Sequence, residues 1–141
     1  MNKNIALKAL AVWFCILVLA VLNGIAREAL LTPNVGVVAG YLLSGLLLSL
    51  FIILIAYLFL PWVGARQFSE LAGVGLYWLG LTIIFEFSFG LWQGLSWQEL
   101  FAAYTFEGGN IWPIVLLVTA FAPYLAAKLR GWKMGRDGHQ T

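Results

Sequence analysis

Apolar residues dominate four long stretches of the chain, and short polar or glycine-containing stretches separate them. A helix of about 20 apolar residues crosses the ~30 Å hydrocarbon core of a bilayer. The pattern therefore predicts an all-α fold, an integral membrane four-helix bundle in which residues 1–141 form a single transmembrane domain. Its predicted parts are helices over about residues 5–30, 35–60, 70–93 and 110–130, and a polar basic tail at 131–141.

A shorter helical pattern follows the third stretch, over about residues 97–106. Ser96 and Glu99 have the spacing of a capping box, in which each side chain accepts the other residue's backbone N–H. About ten residues are too few to span a bilayer, so we expect a short amphipathic helix at the membrane interface between helices three and four. Its apolar positions recur at helical spacing, at Trp97, Leu100, Phe101 and Tyr104.

The composition excludes a soluble protein. The chain is 62% hydrophobic and 10% charged, whereas soluble domains carry roughly 25% charged residues. We therefore expect an integral membrane protein whose surroundings are the lipid bilayer, with no nucleic acid among its partners. The first stretch, with Lys3 and Lys8 at its start and Gly24-Ile25-Ala26 near its end, also has features of a secretory signal peptide. We expect it to remain as a transmembrane helix.

The basic residues predict the orientation, because Lys and Arg concentrate on the cytoplasmic side of a membrane protein. Lys3 and Lys8 flank the start of helix one, Arg66 lies between helices two and three, and further basic residues follow helix four. The segment between helices three and four carries Glu99 and Glu107 instead. We expect a multi-pass protein of the bacterial inner (cytoplasmic) membrane with both termini in the cytoplasm.

Small residues recur every four positions along helix two, at Gly36, Gly40 and Ser44. Such a face lets another helix approach closely, so it is a candidate contact for a homo-oligomer or a larger membrane complex. Cys15 and His139 are the only cysteine and histidine of the chain, and His139 lies in the polar tail. The sequence thus offers no intramolecular disulfide and no metal site built from these residues within the membrane. We expect no metal and no cofactor.

Glu86 lies in the middle of the third apolar stretch, between Phe85 and Phe87. A carboxylate at the centre of a transmembrane helix costs about 2.5–3.5 kcal/mol on insertion scales, so it requires a partner, a proton or a water-filled cavity. Arg27 is the predicted partner, because a guanidinium can bind a carboxylate through two hydrogen bonds. The polar cluster expected toward the outer ends of the helices comprises Glu86, Arg27, Asn23, Glu28, Gln93, Asn110 and Thr82.

Four strings of the sequence resemble those of a group of small four-helix bacterial membrane proteins. The strings are NGIARE at 23–28, FEFSFG at 85–90, GNIWP at 109–113 and APY at 122–124. The resemblance covers most of the chain and implies no activity, so the function has to be argued from the residues themselves.

Three roles for Glu86 stay open, namely a structural pair between helices, the centre of a binding or transport site, and a catalytic carboxylate. The first functional hypothesis is a non-enzymatic membrane protein, either an accessory subunit or a binder or carrier of a small molecule or lipid at an outward-facing polar pocket. The alternative is an enzyme acting on a lipid-borne substrate, with Glu86 as general acid or base and Arg27 as anion clamp. A structural role requires Glu86 to be fully packed and paired, whereas a catalytic role requires a cavity beside it.

The orientation can be tested with reporter fusions. Fusions at Gln67 and Thr141 should report the cytoplasm, and a fusion at Gly108 should report the opposite side, because the basic residues flank the first two positions. A fusion at Thr141 that reports the external side would contradict the predicted topology.

Overall fold

The computed structural model describes residues 3–102, 104–105 and 111–131, and this part of the chain forms helices joined by short turns. Four spans, Lys3–Val35, Val37–Val63, Phe68–Trp92 and Trp112–Leu129, are long and apolar enough to cross a membrane. The predicted all-α membrane bundle is therefore confirmed. The helices are α1 (Lys3–Ala26), α2 (Thr32–Val35), α3 (Val37–Val63), α4 (Phe68–Trp92), α5 (Trp97–Ala102) and α6 (Trp112–Leu129).

The first span is longer than the predicted helix over about 5–30. A π-helical segment, Arg27–Leu31, joins α1 to α2, so that the helical span continues to Val35. Gly36, which has a φ of 92°, then separates α2 from α3. Because such positive φ values suit glycine, the sharp change of direction falls at this residue and not in the segment between Ala26 and Pro33.

The second span also ends later than predicted, because Pro61 lies within the last turn of α3. Proline has no backbone N–H, so the carbonyl of Tyr57, four residues earlier, loses its usual helical donor. The Arg130 side chain supplies one instead, since its Nε donates to the Tyr57 carbonyl oxygen over 2.6 Å. The helix ends at Gly64, which adopts a left-handed conformation with a φ of 85°.

The four long helices follow one another around the bundle in the order α1, α3, α6 and α4, and α4 also packs against α1. A capping box starts α4, three residues before the predicted helix start at about residue 70. Gln67 is the N-cap, and Glu70 accepts its backbone N–H over 3.1 Å. Long helices that follow one another along the chain run in opposite directions, so α1 and α4 are parallel to each other, and so are α3 and α6.

Two tryptophan hydrogen bonds fix α1 against α4. Trp78 Nε1 donates to the carbonyl oxygen of Ala9 over 2.9 Å, and Trp13 Nε1 donates to Thr82 Oγ1 over 3.0 Å. Each bond joins residues that are 69 positions apart. The same offset at two successive turns defines one parallel register between the two helices.

The buried residues of α1, and all but one of those of α4, lie in one half of the bundle, which we call the closed end; it contains Ile5–Ile16 of α1 and Leu71–Trp78 of α4. The buried residues of α1 stop at Ile16, and α4 has no buried residue between Trp78 and Gly90. The other half, which contains Leu17–Ala26 of α1 and Leu81–Trp92 of α4, is called the open end. In this half α1 has no buried residue and α4 has only Gly90 buried, whereas α3 and α6 keep buried residues such as Ser44 and Val115. A cavity lies beside this part of α1 and α4.

The short helix α5 packs against the open end of α4. The predicted capping box is present, because Ser96 Oγ accepts the Glu99 N–H over 3.1 Å and Glu99 Oε1 accepts the Ser96 N–H over 2.9 Å. The helix ends at Ala102 and is thus shorter than the predicted 97–106. Three predicted apolar positions surround the Phe87 ring with centroids 5.5–6.0 Å away, and these are Trp97, Phe101 and Tyr104.

Part of the small-residue face of α3 is used within the chain. Gly40 lies against Thr32, and Ser44 exchanges hydrogen bonds with Asn23 of α1. Both Gly40 and Ser44 are buried, while Gly36 is exposed. The small residues therefore bring α3 close to the first span of the same chain, as their spacing allows.

Two glycines of α4 give a matched test of helix packing. A Cβ at Gly75 would overlap the carbonyl oxygen of Ala120 in α6, whereas a Cβ at Gly80 would meet nothing within 4 Å. We expect Gly75→Ala to lower the free energy of unfolding by about 1–3 kcal/mol, because overpacking forces the helices apart. Gly80→Ala should be neutral or stabilising by up to ~1 kcal/mol, since alanine favours a helix interior. Thermal unfolding in detergent measures both, and equal effects would contradict the described α4–α6 contact.

Candidate functional site

Glu86 is half-buried in the open end of the bundle, where one of its two oxygens is held by neutral donors. Its Oε2 accepts hydrogen bonds from Tyr104 Oη and from Trp112 Nε1, each over 2.7 Å. Its Oε1 accepts no hydrogen bond among the described residues. Among the described residues, the carboxyl group is therefore held through one oxygen only.

The two donors come from the segments on either side of the α5–α6 connection. Tyr104 lies in the turn after α5, where its ring stacks on Phe87 at 6.0 Å with the two planes only 2° apart. Trp112 is the first residue of α6, next to Pro113, which suits the first turn of a helix. The pKa of the Tyr104 phenol is raised, mainly by burial and then by the hydrogen bond to Glu86 and the charge of that residue. Tyr104 is thus a neutral hydrogen-bond donor at ordinary pH.

A cavity of about 320 Å³ adjoins Glu86, and we call it the Glu86 cavity. All four long helices contribute to its wall, together with α5 and the turn before it. Most of the wall is apolar, which is typical of pockets that bind small molecules. Its polar or aromatic lining residues include Trp13, Thr82, Phe85, Glu86, Phe89, Gln93, Glu99 and Trp112.

Thr82 and Gln93, both predicted to belong with Glu86, line this cavity from the same helix. Thr82 lies one helical turn before Glu86. Its hydroxyl accepts the Trp13 indole N–H and donates to the Trp78 carbonyl oxygen over 2.8 Å. Its hydroxyl is fully engaged in helix packing. Gln93 is exposed at the end of α4, so it forms part of the rim.

Asn23 and Arg27 line a second, smaller cavity of about 120 Å³, which we call the Arg27 cavity. The Arg27 guanidinium lies over the Tyr41 ring at 4.6 Å, and its Nε is 3.4 Å from Glu28 Oε1. The Asn23 Nδ2 donates to the Ser44 carbonyl oxygen over 3.1 Å. Trp112 belongs to the walls of both cavities and stands between the two groups of polar residues.

The predicted Glu86–Arg27 pair is wrong, and the register of α1 against α4 explains why. An offset of 69 residues places Glu86 level with Leu17 of α1, as it places Trp78 level with Ala9. Arg27 lies ten positions beyond Leu17, or about 15 Å further along the helix. The guanidinium instead contacts Glu28 and Tyr41, both of which are near it at that level.

Among the predicted site residues, Glu28 is exposed beside Arg27, and Asn110 lies outside the described residues. The sequence pattern does not predict that Tyr104 and Trp112 donate hydrogen bonds to Glu86, or that Trp13 donates one to Thr82. Tyr104 was recognisable as part of the α5 stripe, but its hydroxyl was not assigned a partner. Tryptophan and tyrosine in a membrane protein are usually interfacial, so their type alone does not indicate a contact with a carboxylate inside the bundle.

Two glycines of α4 allow close contacts with neighbouring helices. Gly75 lies against Ala120 of α6, and Gly90 lies against the Leu100 side chain of α5. In the part of the chain that the structure describes, no group of three or more His, Cys, Asp or Glu side chains could hold a metal ion. The absence of a metal and of a cofactor stays a prediction.

The fold and the cavity together define a four-helix membrane protein with an internal carboxylate site. No protein-family model matches the chain, and comparisons with curated proteins and with solved structures found no match. Its function is therefore argued from its own geometry.

Double-mutant cycles should separate the observed contact of Glu86 from the predicted one. Glu86→Leu combined with Tyr104→Phe should give a coupling energy of about 1–3 kcal/mol, because the two groups share a hydrogen bond to a carboxylate. Glu86→Leu combined with Arg27→Met should give a coupling near zero, since distant residues act independently. Thermal stability in detergent measures both cycles. A large coupling to Arg27, with none to Tyr104, would contradict the register.

Proposed function

We propose that this multi-pass membrane protein is a non-enzymatic binder or carrier of a small molecule or lipid, and that the Glu86 cavity is its binding site. One observation carries the proposal. Glu86 is half-buried on the wall of a cavity of about 320 Å³, with Oε2 anchored and Oε1 without a partner among the described residues. Ligand pockets of about 300–1,000 Å³ with a few convergent polar groups in an apolar wall have this construction.

The geometry argues against a purely structural role for Glu86. That role requires a fully packed and paired carboxylate, because an unpaired charge in low dielectric is costly. The hydrogen bonds from Tyr104 and Trp112 satisfy only one oxygen. A ligand or water reaching the cavity would supply the remaining partner, so the site is suited to an occupant.

The alternative of an enzyme gains no support from the geometry. It required Arg27 beside Glu86 as an anion clamp, but the register places Arg27 about 15 Å further along α1. Among the described residues that line the Glu86 cavity, the remaining titratable side chain is Glu99, which accepts the Ser96 N–H as part of a helix cap. These groups do not form a nucleophile–base pair.

The orientation expected from the basic residues would place the Glu86 cavity in the outer half of a bacterial inner membrane. Glu86 lies nearer to the end of α4 than to its start, and α6 begins at the same end of the bundle. A molecule would then enter from the external side or from the outer leaflet. This placement supports a protein that receives its ligand outside the cytoplasm.

A cavity-filling substitution tests the binding role. Ala20 is half-buried and lines both cavities, so Ala20→Phe should occupy part of the space. Ala11→Phe, on the exposed surface of the same helix, is the matched control. Native mass spectrometry after release from a mild detergent should detect bound small molecules or lipids on the wild type and on Ala11→Phe, with a loss of about tenfold or more on Ala20→Phe.

Two results of that experiment would contradict the binding role. The first is a wild-type protein that carries no small-molecule or lipid adduct when released under mild conditions. The second is an Ala20→Phe variant that retains a cooperative unfolding transition and the full set of adducts.

A further inference from the structure

The charges around the Glu86 cavity are of one sign. Its lining contains the carboxyl groups of Glu86 and Glu99, and no Lys, Arg or His is present among its described lining residues. Arg27 is directed to its own cavity, with Tyr41 and Glu28 around its guanidinium. A cavity with a low-dielectric wall and groups of one sign attracts ligands of the opposite charge.

Aromatic rings line the same space. Trp13, Phe85, Phe89 and Trp112 all belong to the wall of the Glu86 cavity. Trp13 meets Phe85 edge to face at 6.3 Å, and Phe85 stacks on Phe89 at 5.4 Å. The face of an aromatic ring carries partial negative charge, so rings gathered beside a carboxylate form a site for an ammonium group.

The rest of the wall is aliphatic, with Ile16, Leu17, Leu48 and Ile52 on the side of α1 and α3. These residues suit an apolar chain or ring attached to the charged group. The volume of about 320 Å³ is at the lower end of the range for ligand pockets. It therefore fits a single charged head with a short length of hydrocarbon.

From these three observations, we infer that the Glu86 cavity binds an amphipathic organic cation, a substituted ammonium group on an apolar body. The ammonium group lies beside Glu86 Oε1 and against the aromatic rings, and the apolar body lies along α1 and α3. This inference rests on the proposed binding function and names its ligand class. The head group of a zwitterionic lipid and a free amphipathic amine share this chemistry.

Three probes with similar chains and different heads test the ligand class on the wild-type protein. They are hexyltrimethylammonium, the neutral N,N-dimethylheptanamide and hexanesulfonate, each titrated by calorimetry into the protein in phosphatidylglycerol nanodiscs, with empty discs subtracted. We expect the cation to bind at least about tenfold more tightly than the amide, and the sulfonate to bind most weakly. Equal affinities for cation and amide would overturn the inference and leave the binding function intact. Binding of none of the three, together with no adduct in native mass spectrometry, would instead contradict the binding function itself.

Two isosteric variants locate the charge that selects the cation. Glu86→Gln should remove the preference for the cation over the amide, since it keeps the shape of the side chain and removes its charge. Glu70→Gln makes the same change in the capping box at the other end of α4, where glutamine still serves as a cap, and should keep the preference. A preference that survives Glu86→Gln would overturn the inference. If Glu86→Gln does not fold, the comparison of cation and amide on the wild type decides the matter.

The lipid composition of the nanodiscs distinguishes the two sources of the ammonium group. Adding phosphatidylethanolamine to the phosphatidylglycerol discs should weaken hexyltrimethylammonium binding several-fold if the lipid head group is the occupant, because the two compete. Unchanged affinity identifies a free amphipathic cation. Both results support a site for substituted ammonium groups.

Discussion

The arrangement of this bundle depends on two indole N–H groups that join α1 to α4. Trp78 donates to the Ala9 carbonyl and Trp13 donates to the Thr82 hydroxyl, one turn further along both helices. Apolar packing alone allows helices to slide in a bilayer, because lipid chains satisfy apolar side chains as well as another helix does. A tryptophan N–H buried in hydrocarbon must find an acceptor, so these two bonds select one register.

That register determines which residues of α1 lie beside Glu86. It keeps the carboxylate away from Arg27, while the packing of α5 and α6 against α4 brings Tyr104 and Trp112 to it. Two neutral donors then take one oxygen, and the remaining wall is apolar and aromatic. The buried residues of α1 end at Ile16, and α4 has none between Trp78 and Gly90, so the carboxylate lies beside a cavity and not within close-packed side chains.

Sequence patterns could predict the helices of this fold, but not how each helix is rotated about its axis or shifted along it relative to its neighbours. Hydropathy located the four spans, and the Ser96–Glu99 spacing located the start of α5, because both depend on neighbouring residues. The predicted end of the second helix, at about residue 60, is too early, because α3 continues to Val63. The donor that replaces the missing N–H of Pro61 comes from Arg130, which is far away in the sequence.

The candidate site was predictable to a similar extent. Glu86, Thr82 and Gln93 could be grouped because they share a helix, and they do line one cavity. The level of Glu86 against α1 depends on hydrogen bonds between residues 69 positions apart, which no local periodicity records. The sequence therefore favours Arg27 as the partner of Glu86, whereas the structure shows hydrogen bonds from Tyr104 and Trp112.

The shared oxygen of Glu86 also closes a loop in the chain. Tyr104 and Trp112 precede and follow the α5–α6 connection, and both end on the same atom. The shared atom therefore joins the turn after α5 to the first residue of α6. Any molecule that competes for Oε2 would release these ends, and one that binds Oε1 would leave them fastened. A ligand on Oε2 and the hydrogen bonds from Tyr104 and Trp112 therefore oppose each other, and each weakens the other by the same free energy.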